Sequence, residues 1–284
     1  MRFTFLGTGT SSGIPAIGCD CPVCTSPDPR DNRLRAAAAL RFTDAGGRDR
    51  TILIDAGPDL RLQALRARLT RCDAVFFTHN HVDHIFGLDE LRRFNATMQA
   101  PIDIYADRHT LDSLHRVYKH IFDKRSNIND SFIATLIEHR LEPGTPIDLH
   151  GLRITPFTVL HGKAEILAYR IEHADSSASP ILPLAYCTDT SGIPSESWKH
   201  LRGLKTLIVD ALRHRRHPTH FTVGQAVSIA QEVAADRTYF IHMSHDLAHG
   251  PTDDDLPEGM HLAYDGLVLG APAAQEPPEP ENLT

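Results

Sequence analysis

Residues 73–84 read Asp73-Ala74-Val75-Phe76-Phe77-Thr78-His79-Asn80-His81-Val82-Asp83-His84, and this stretch decides the fold. A short apolar run of strand length passes straight into an H-x-H-x-D-H pattern, so the histidines fall on a loop at the C-terminal end of a strand. Open α/β folds commonly place ligands there. Three imidazoles and a carboxylate within six residues are costly to crowd together unless something binds them. Imidazole and carboxylate suit Zn, Mn and Fe, and on one tight loop they can reach two neighbouring ions rather than saturate one. A merely solvated polar loop does not explain the apolar strand before the pattern or the helix start after it.

Two ions need more than four ligands, and other strand ends supply candidates. His161 closes the apolar run 154–160, Asp189 closes 184–188, and His242 closes 238–241. Any one of these, among 18 histidines, is weak evidence alone; their shared position just past an apolar strand singles them out. Asp55 ends another such run at 51–54 and either orients a ligand or caps a turn.

Further outward, strands are predicted near residues 2–6, 36–42, 51–54, 73–77, 102–105, 131–139, 152–159, 166–171, 181–187, 206–209, 237–241 and 261–269. Helices are predicted near 58–69, 87–94, 108–122, 195–201 and 223–233. Composition does not change between the halves, which predicts one α/β domain over 1–270 with two β-rich layers and helices outside. The Pro- and Glu-rich segment 271–284 is expected to be disordered.

Bulk properties narrow the function classes. With 284 residues, 41% hydrophobic content and no apolar stretch of about 18 residues, the chain reads as a globular protein with no membrane partner. The opening Met1-Arg2-Phe3-Thr4-Phe5-Leu6-Gly7 turns polar too early for a signal peptide, so a cytoplasmic address is expected. A formal charge of −7 argues against a nucleic-acid partner, while a small anionic substrate stays open because bound metals would dominate the local field. Cys19, Cys21 and Cys24 fall within six residues, which in a reducing compartment suggests a metal site; Cys72 and Cys187 sit in apolar runs as core thiols. Three thiolates lack a fourth ligand for tetrahedral zinc. The glycine-rich stretch 7–13 lacks the P-loop lysine pattern and reads as turn chemistry.

Taken together, the Leu6-to-Pro15 stretch (LGTGTSSGIP), Gly18-Cys19-Asp20-Cys21-Pro22-Val23-Cys24, Leu53-Ile54-Asp55-Ala56-Gly57, the His79 loop, Thr188-Asp189-Thr190 and His242-Met243-Ser244-His245 carry a resemblance to metallo-β-lactamase-fold hydrolases. Within them the chain is most similar to the PhnP-type, phosphoribosyl cyclic phosphodiesterase-like proteins. The resemblance implies a four-layer αββα sandwich. It assigns His79, His81 and His161 to one ion and Asp83, His84 and His242 to a second, with Asp189 bridging and a hydroxide between the metals. Metal binding lowers the pKa of water from about 15.7 to near 7, which suits in-line attack on phosphorus. Asp83, Asp189 and His220 would then be catalytic, and the metals Mn or Zn, with Fe as a further option.

The resemblance also gives His245 as the fourth ligand of a structural zinc with Cys19, Cys21 and Cys24. It aligns His220 with a histidine that contacts substrate phosphate or protonates the leaving oxygen, a role a phosphodiester leaving group requires; His217 competes for it. Arg213, Arg215 and Arg216 read as a solvated face. A small, cyclic phosphodiester is the expected substrate, and a homodimer is implied by resemblance alone. Alternatives of the same fold are a tRNA 3′-end endonuclease, a glyoxalase-type thioesterase, and a non-hydrolytic PqqB-like cofactor-biosynthesis or binding protein. Residues 118–138 align poorly and are expected to shape the pocket.

Overall fold

The computed structural model describes residues 1–123, 125, 131–175 and 178–270. The tail 271–284 and residues 124 and 126–130 of the poorly aligned segment lie outside the described residues.

Six strands of the first half form most of one sheet: β1 (Arg2–Gly7), β2 (Ala37–Thr43), β3 (Asp49–Ile54), β4 (Ala74–Phe76), β5 (Ile102–Ala106) and β6 (Leu136–Arg140). A second sheet holds β7 (Ile147–Leu149), β8 (Leu152–His161), β9 (Ala164–His173), β10 (Leu184–Cys187), β11 (Thr206–Asp210), β12 (Arg237–Ile241) and β13 (Met260–Leu262). The chain then returns with β14 (Val268–Leu269) to the edge of the first sheet beside β1. The strand orders are β14-β1-β2-β3-β4-β5-β6 and β13-β12-β11-β10-β9-β8-β7.

Period-2 alternation splits each strand between two apolar layers. Phe3 and Phe5 of β1, Ala38 and Leu40 of β2, and Ile52 and Ile54 of β3 face the second sheet, where they meet Tyr169, Tyr186 and Tyr239. Leu6, Ala37, Ala39 and Leu53 face the other way, toward α1 (Leu60–Arg66), α3 (Leu91–Met98) and α4 (Arg108–Val117). On the second sheet, Phe157, Val159, Ala185, Val209 and Phe240 pack outward against residues of α6 (Val223–Val233). The result is the αββα layering. Where both faces are covered, at the central strands β4, β10 and β11, the sequence reads as nearly continuous apolar runs. Among the described residues no helix is long and apolar enough to cross a membrane.

Several predicted boundaries move. The 261–269 strand is two short ones, β13 and β14, in different sheets. The 131–139 strand starts only at Leu136. The 87–94 helix resolves into a 3-10 turn at Leu88–Glu90 followed by α3, and a single helical turn, α2 (Val82–Ile85), precedes it. The 108–122 helix breaks at Tyr118 into α4 and α5 (Lys119–Phe122), where the Tyr118 hydroxyl donates to the Ile85 carbonyl at 3.1 Å. The 195–201 helix is 3-10. These shifts are tertiary: propensity names an element, and partners set its ends.

Candidate active site

The parallel strands β3, β4 and β5 of one sheet and β10, β11 and β12 of the other end at the same rim. Asp55 follows β3, the Thr78–His84 loop follows β4, Asp189 follows β10, Asp210 ends β11 and His242 follows β12. Asp55, Asp189 and His242 carry positive φ values of 64°, 51° and 59°. A non-glycine residue rarely adopts that left-handed conformation, and its cost is characteristic of functional sites. The chain thus turns sharply just where a ligating side chain stands. Gly57 has a related role: a Cβ there would lie 1.9 Å from the Asp83 carbonyl oxygen, so only glycine lets the metal-loop helix settle on the β3–α1 turn.

The structure brings the seven sequence-picked residues into two groups that share a member. His79, His81, His161 and Asp189 form one; Asp83, His84, Asp189 and His242 form the other, and within each the candidate ligand atoms lie within 4.8 Å of one another. Asp189 Oδ1 lies 3.2 Å from His84 Nε2, and its Oδ2 lies 3.3 Å from His242 Nε2 and 3.8 Å from His79 Nε2. Asp83 Oδ2 is 3.2 Å from His84 Nε2. His81 stands exposed at the mouth, and the others are buried.

Hydrogen bonds fix which nitrogen faces inward. The His84 Nδ1–H donates to Asp55 Oδ2 at 2.7 Å, and His161 Nδ1–H to the Thr219 carbonyl at 2.8 Å. Thr78 donates its hydroxyl to Asp55 at 2.9 Å, so its oxygen accepts from His79 Nδ1–H at 3.0 Å. That leaves Nε2 of His79 and His84, and both ring nitrogens of His242, buried with no hydrogen-bond partner. Buried polar atoms are seldom left so, and several aimed at one point beside two carboxylates fit divalent cations. The electrostatics divide the imidazoles: burial lowers His84 and His242, but Asp189 and Asp83 outweigh it and hold His84 well above its ordinary pKa and His242 up to about 9, so each carries a proton that a bound cation would displace. Burial, with His84 beside it, holds the His79 imidazole well below its ordinary pKa and therefore neutral, as a ligand must be. Burial pushes the Asp189 carboxyl upward, but His242 and His84 outweigh it and hold the group well below the usual carboxylate range. Asp55 settles its alternatives in favour of orientation: wholly buried, it accepts from Thr78 N at 2.8 Å as well as from His84.

His220 stands beside these groups, with ring centroids 4.7 Å from both His161 and His242, and its Nδ1–H donates to Asp210 Oδ2 at 2.6 Å. Burial and the neighbouring His242 hold it down to about 4. His217 lies one ring further out, 5.0 Å from His220, half-buried, with Nδ1 accepting from the Thr219 hydroxyl at 3.1 Å. Arg213 and Arg215 turn to Asp246 at 3.6 and 3.1 Å, and Arg216 is exposed. Asp210 is the site residue that sequence reading missed. It closes 206–209 as Asp189 closes 184–188, so the signal was present.

A separate cluster joins Cys19, Cys21, Cys24 and His245, whose Nδ1 lies 3.2, 3.6 and 3.4 Å from the three sulfurs. A tetrahedral zinc with ordinary Zn–S and Zn–N bonds separates its ligand atoms by roughly 3.5 Å, so this donor set fits. Backbone N–H groups of Ala16 and Cys24 point at the sulfurs of Cys24 and Cys21 at 3.3 and 3.5 Å. Beneath it lies Arg33, fully buried, which donates to the carbonyls of Ser244 and Leu247 at 3.0 and 2.7 Å and to Asp31 at 3.0 Å. It ties the segment after the cysteine loop to the one carrying His242 and His245. Cys72 and Cys187 are buried in apolar layers, as their sequence setting predicts.

With this geometry established, similarity to known proteins gives the class. Residues 50–243 match the β-lactamase superfamily domain family, and the chain belongs to that superfamily, with the metallo-β-lactamase fold. A solved diphosphatase from the PhnP family is 42% identical, with a TM-score of 0.82 and 95% of this chain and 97% of that one covered. Within the superfamily, then, the chain belongs to the PhnP family. An octanoyltransferase of Porphyromonas gingivalis is 35% identical over 272 residues, covering 94% of this chain but 51% of that protein. The chain spans about half the length of that relative. Zn-bound PqqB of Methylobacterium extorquens, at 18% identity and TM-score 0.74 with 95% and 99% covered, shares the fold.

Proposed function

We propose that the protein is a metal-dependent hydrolase acting on a small, cyclic phosphodiester, with two divalent cations, Mn or Zn with Fe as a further option, in the His/Asp centre. We place a structural zinc in the Cys/His centre. The supporting observation is the sharing of Asp189 between two ligand groups whose buried Nε2 atoms have no hydrogen-bond partner. Bound there, a cation pair supplies positive charge to phosphoryl oxygens and brings the pKa of a water toward about 7.

The chain's own side chains do the remainder. His79, His81 and His161 would hold one ion; Asp83, His84 and His242 the other; and Asp189, whose Oδ1 accepts from the Thr188 hydroxyl at 2.7 Å, spans both. His220, fixed by Asp210 at Nδ1, keeps Nε2 for the substrate: it contacts a phosphoryl oxygen or carries the proton for the leaving oxygen. At about 4 without a ligand the ring is neutral at neutral pH, and an anionic substrate beside it raises that value toward the point at which Nε2 carries a proton. His217 sits where it can reach a substrate that extends past His220.

A second reading is hydrolysis of a diphosphate linkage, favoured by the 42% identical PhnP-family relative described as a diphosphatase. Both readings break a P–O bond at the same centre. Elemental analysis together with an assay panel separates them: a bis-aryl phosphodiester, a ribose cyclic phosphate, a diphosphate diester, precursor tRNA and a thioester. Three metals per chain with cyclic-phosphate turnover is the expected result. Faster turnover of the diphosphate establishes the second reading, and one zinc with no hydrolysis overturns both.

A further inference from the structure

Beyond the active site, the opposite end of the first sheet carries a second concentration of charge. A cavity of about 560 Å³ opens there, lined by Arg2 at the start of β1, Arg41 near the end of β2, Asp49 and Arg50 at the start of β3, and Arg68 and Arg71 between α1 and β4. Strands β3 and β4 run from this cavity to the His/Asp centre, so the two lie at opposite ends of the same strands.

The charge at this cavity is not balanced. Arg50 donates to Asp44 and Asp73 at 2.9 and 2.8 Å, and Arg71 donates to Asp73 at 2.9 and 2.6 Å. Counting those two carboxylates with Asp49 gives five arginines against three aspartates, a local excess of two on a chain whose formal charge is −7. Arg2, Arg41 and Arg68 have no carboxylate partner among the described residues. Two of them are arranged unfavourably. Arg2 and Arg41 face one another across the antiparallel β1–β2 pair, where like charges repel. Arg41 is partly buried, its Nε has no hydrogen-bond partner, and its Nη1 makes only a long bond to the Ala67 carbonyl at 3.3 Å. Arg68 holds a left-handed backbone, φ 51°, just past the end of α1, a position that favours glycine. Meanwhile Arg50 uses Nε and Nη1, and Arg71 uses Nε and Nη2, in the carboxylate bonds, so each keeps one amino group for another acceptor.

We propose that this cavity is a second binding site, for a small ligand bearing two or more phosphate groups. Guanidinium forks match phosphate oxygens two at a time, and a bound oxyanion relieves the Arg2–Arg41 repulsion and gives Arg68 and Arg41 the partner they lack. The arginines gather around one pocket rather than along a continuous track, which favours a small molecule over a nucleic-acid strand.

The test is calorimetric titration of the metal-loaded protein with methylenebisphosphonate, whose P–C–P bridge resists hydrolysis. The wild type is expected to bind at two sites. Asp189→Ala should keep one of them, and the Arg2→Gln/Arg68→Gln double variant, both positions being exposed, should weaken that one by about tenfold or more while turnover and melting stay unchanged. A single site that Asp189→Ala abolishes and the double variant leaves intact overturns the proposal. So does displacement of the bisphosphonate from the arginine site by a 20-nucleotide RNA at lower concentration than by inorganic pyrophosphate.

Discussion

The His/Asp centre and the Cys/His centre lie three residues apart in the chain at His242 and His245, yet they are built on different principles. The first draws donors from four separate segments and both sheets, buries nearly all of them, and backs its imidazoles with Asp55, Thr78 and the Thr219 carbonyl. The second takes three thiols from one six-residue loop and one imidazole from elsewhere, with only Cys24 among them buried. Mixed, oriented donors around a shared carboxylate suit chemistry, and a compact Cys₃His set suits a closed structural ion. The difference shows that ligand count alone does not distinguish a reaction centre from a brace; the supporting hydrogen bonds do.

Removing what the two ligand groups share breaks the comparison hardest. Asp189→Ala is expected to cost on the order of 10³-fold or more in turnover and to leave only the cysteine-bound metal, as read by elemental analysis. Retention of three metals would show that Asp189 does not bridge. His220→Ala comes next: turnover should fall by roughly 10²- to 10⁴-fold with metal content intact, and wild-type activity would remove His220 from the reaction. Asp55→Asn sharpens the role of the supporting shell. It leaves the Nδ1–H of His84 with a weaker acceptor and should lower metal affinity or activity by about 10- to 100-fold, measured by chelator competition.

The smallest effect on chemistry belongs to the other centre. Cys21→Ser should lose one metal per chain and about 2 kcal/mol of stability, or roughly 4–8 °C in melting temperature, while the other two metals stay bound and turnover stays within a few-fold. Full metal content with unchanged melting would mean that the thiols hold no ion. The contrast between Asp189→Ala and Cys21→Ser is therefore the most direct reading of which centre reacts and which one braces.

Much of the centre was legible because apolar strand ends announce themselves: 73–77, 154–160, 184–188 and 238–241 each stop at a residue the structure brings to the rim. Asp210 stops the run 206–209 in the same way and was passed over, since one aspartate after one strand is weak evidence until His220 is seen 2.6 Å from it. Arg33 gave no signal, because a lone arginine in a polar stretch looks like surface; only its burial and its bonds to Ser244 and Leu247 reveal it. The final apolar stretch, 261–269, misled for a physical reason. Its first part pairs with β12 and its last with β1, and hydrophobicity records that a residue is buried without recording in which sheet.

By itself the sequence determined the donor chemistry, the strand–loop positions of the donors and an α/β class with two β-rich layers, because local patterning and ligand identity are written residue by residue; the αββα order came from the family resemblance. Only the tertiary structure decided which donors share Asp189, which imidazole nitrogen points inward, and where three left-handed turns bend the chain toward one spot. Those depend on contacts between residues far apart in sequence, and on the hydrogen bonds that packing forces each buried polar group to find.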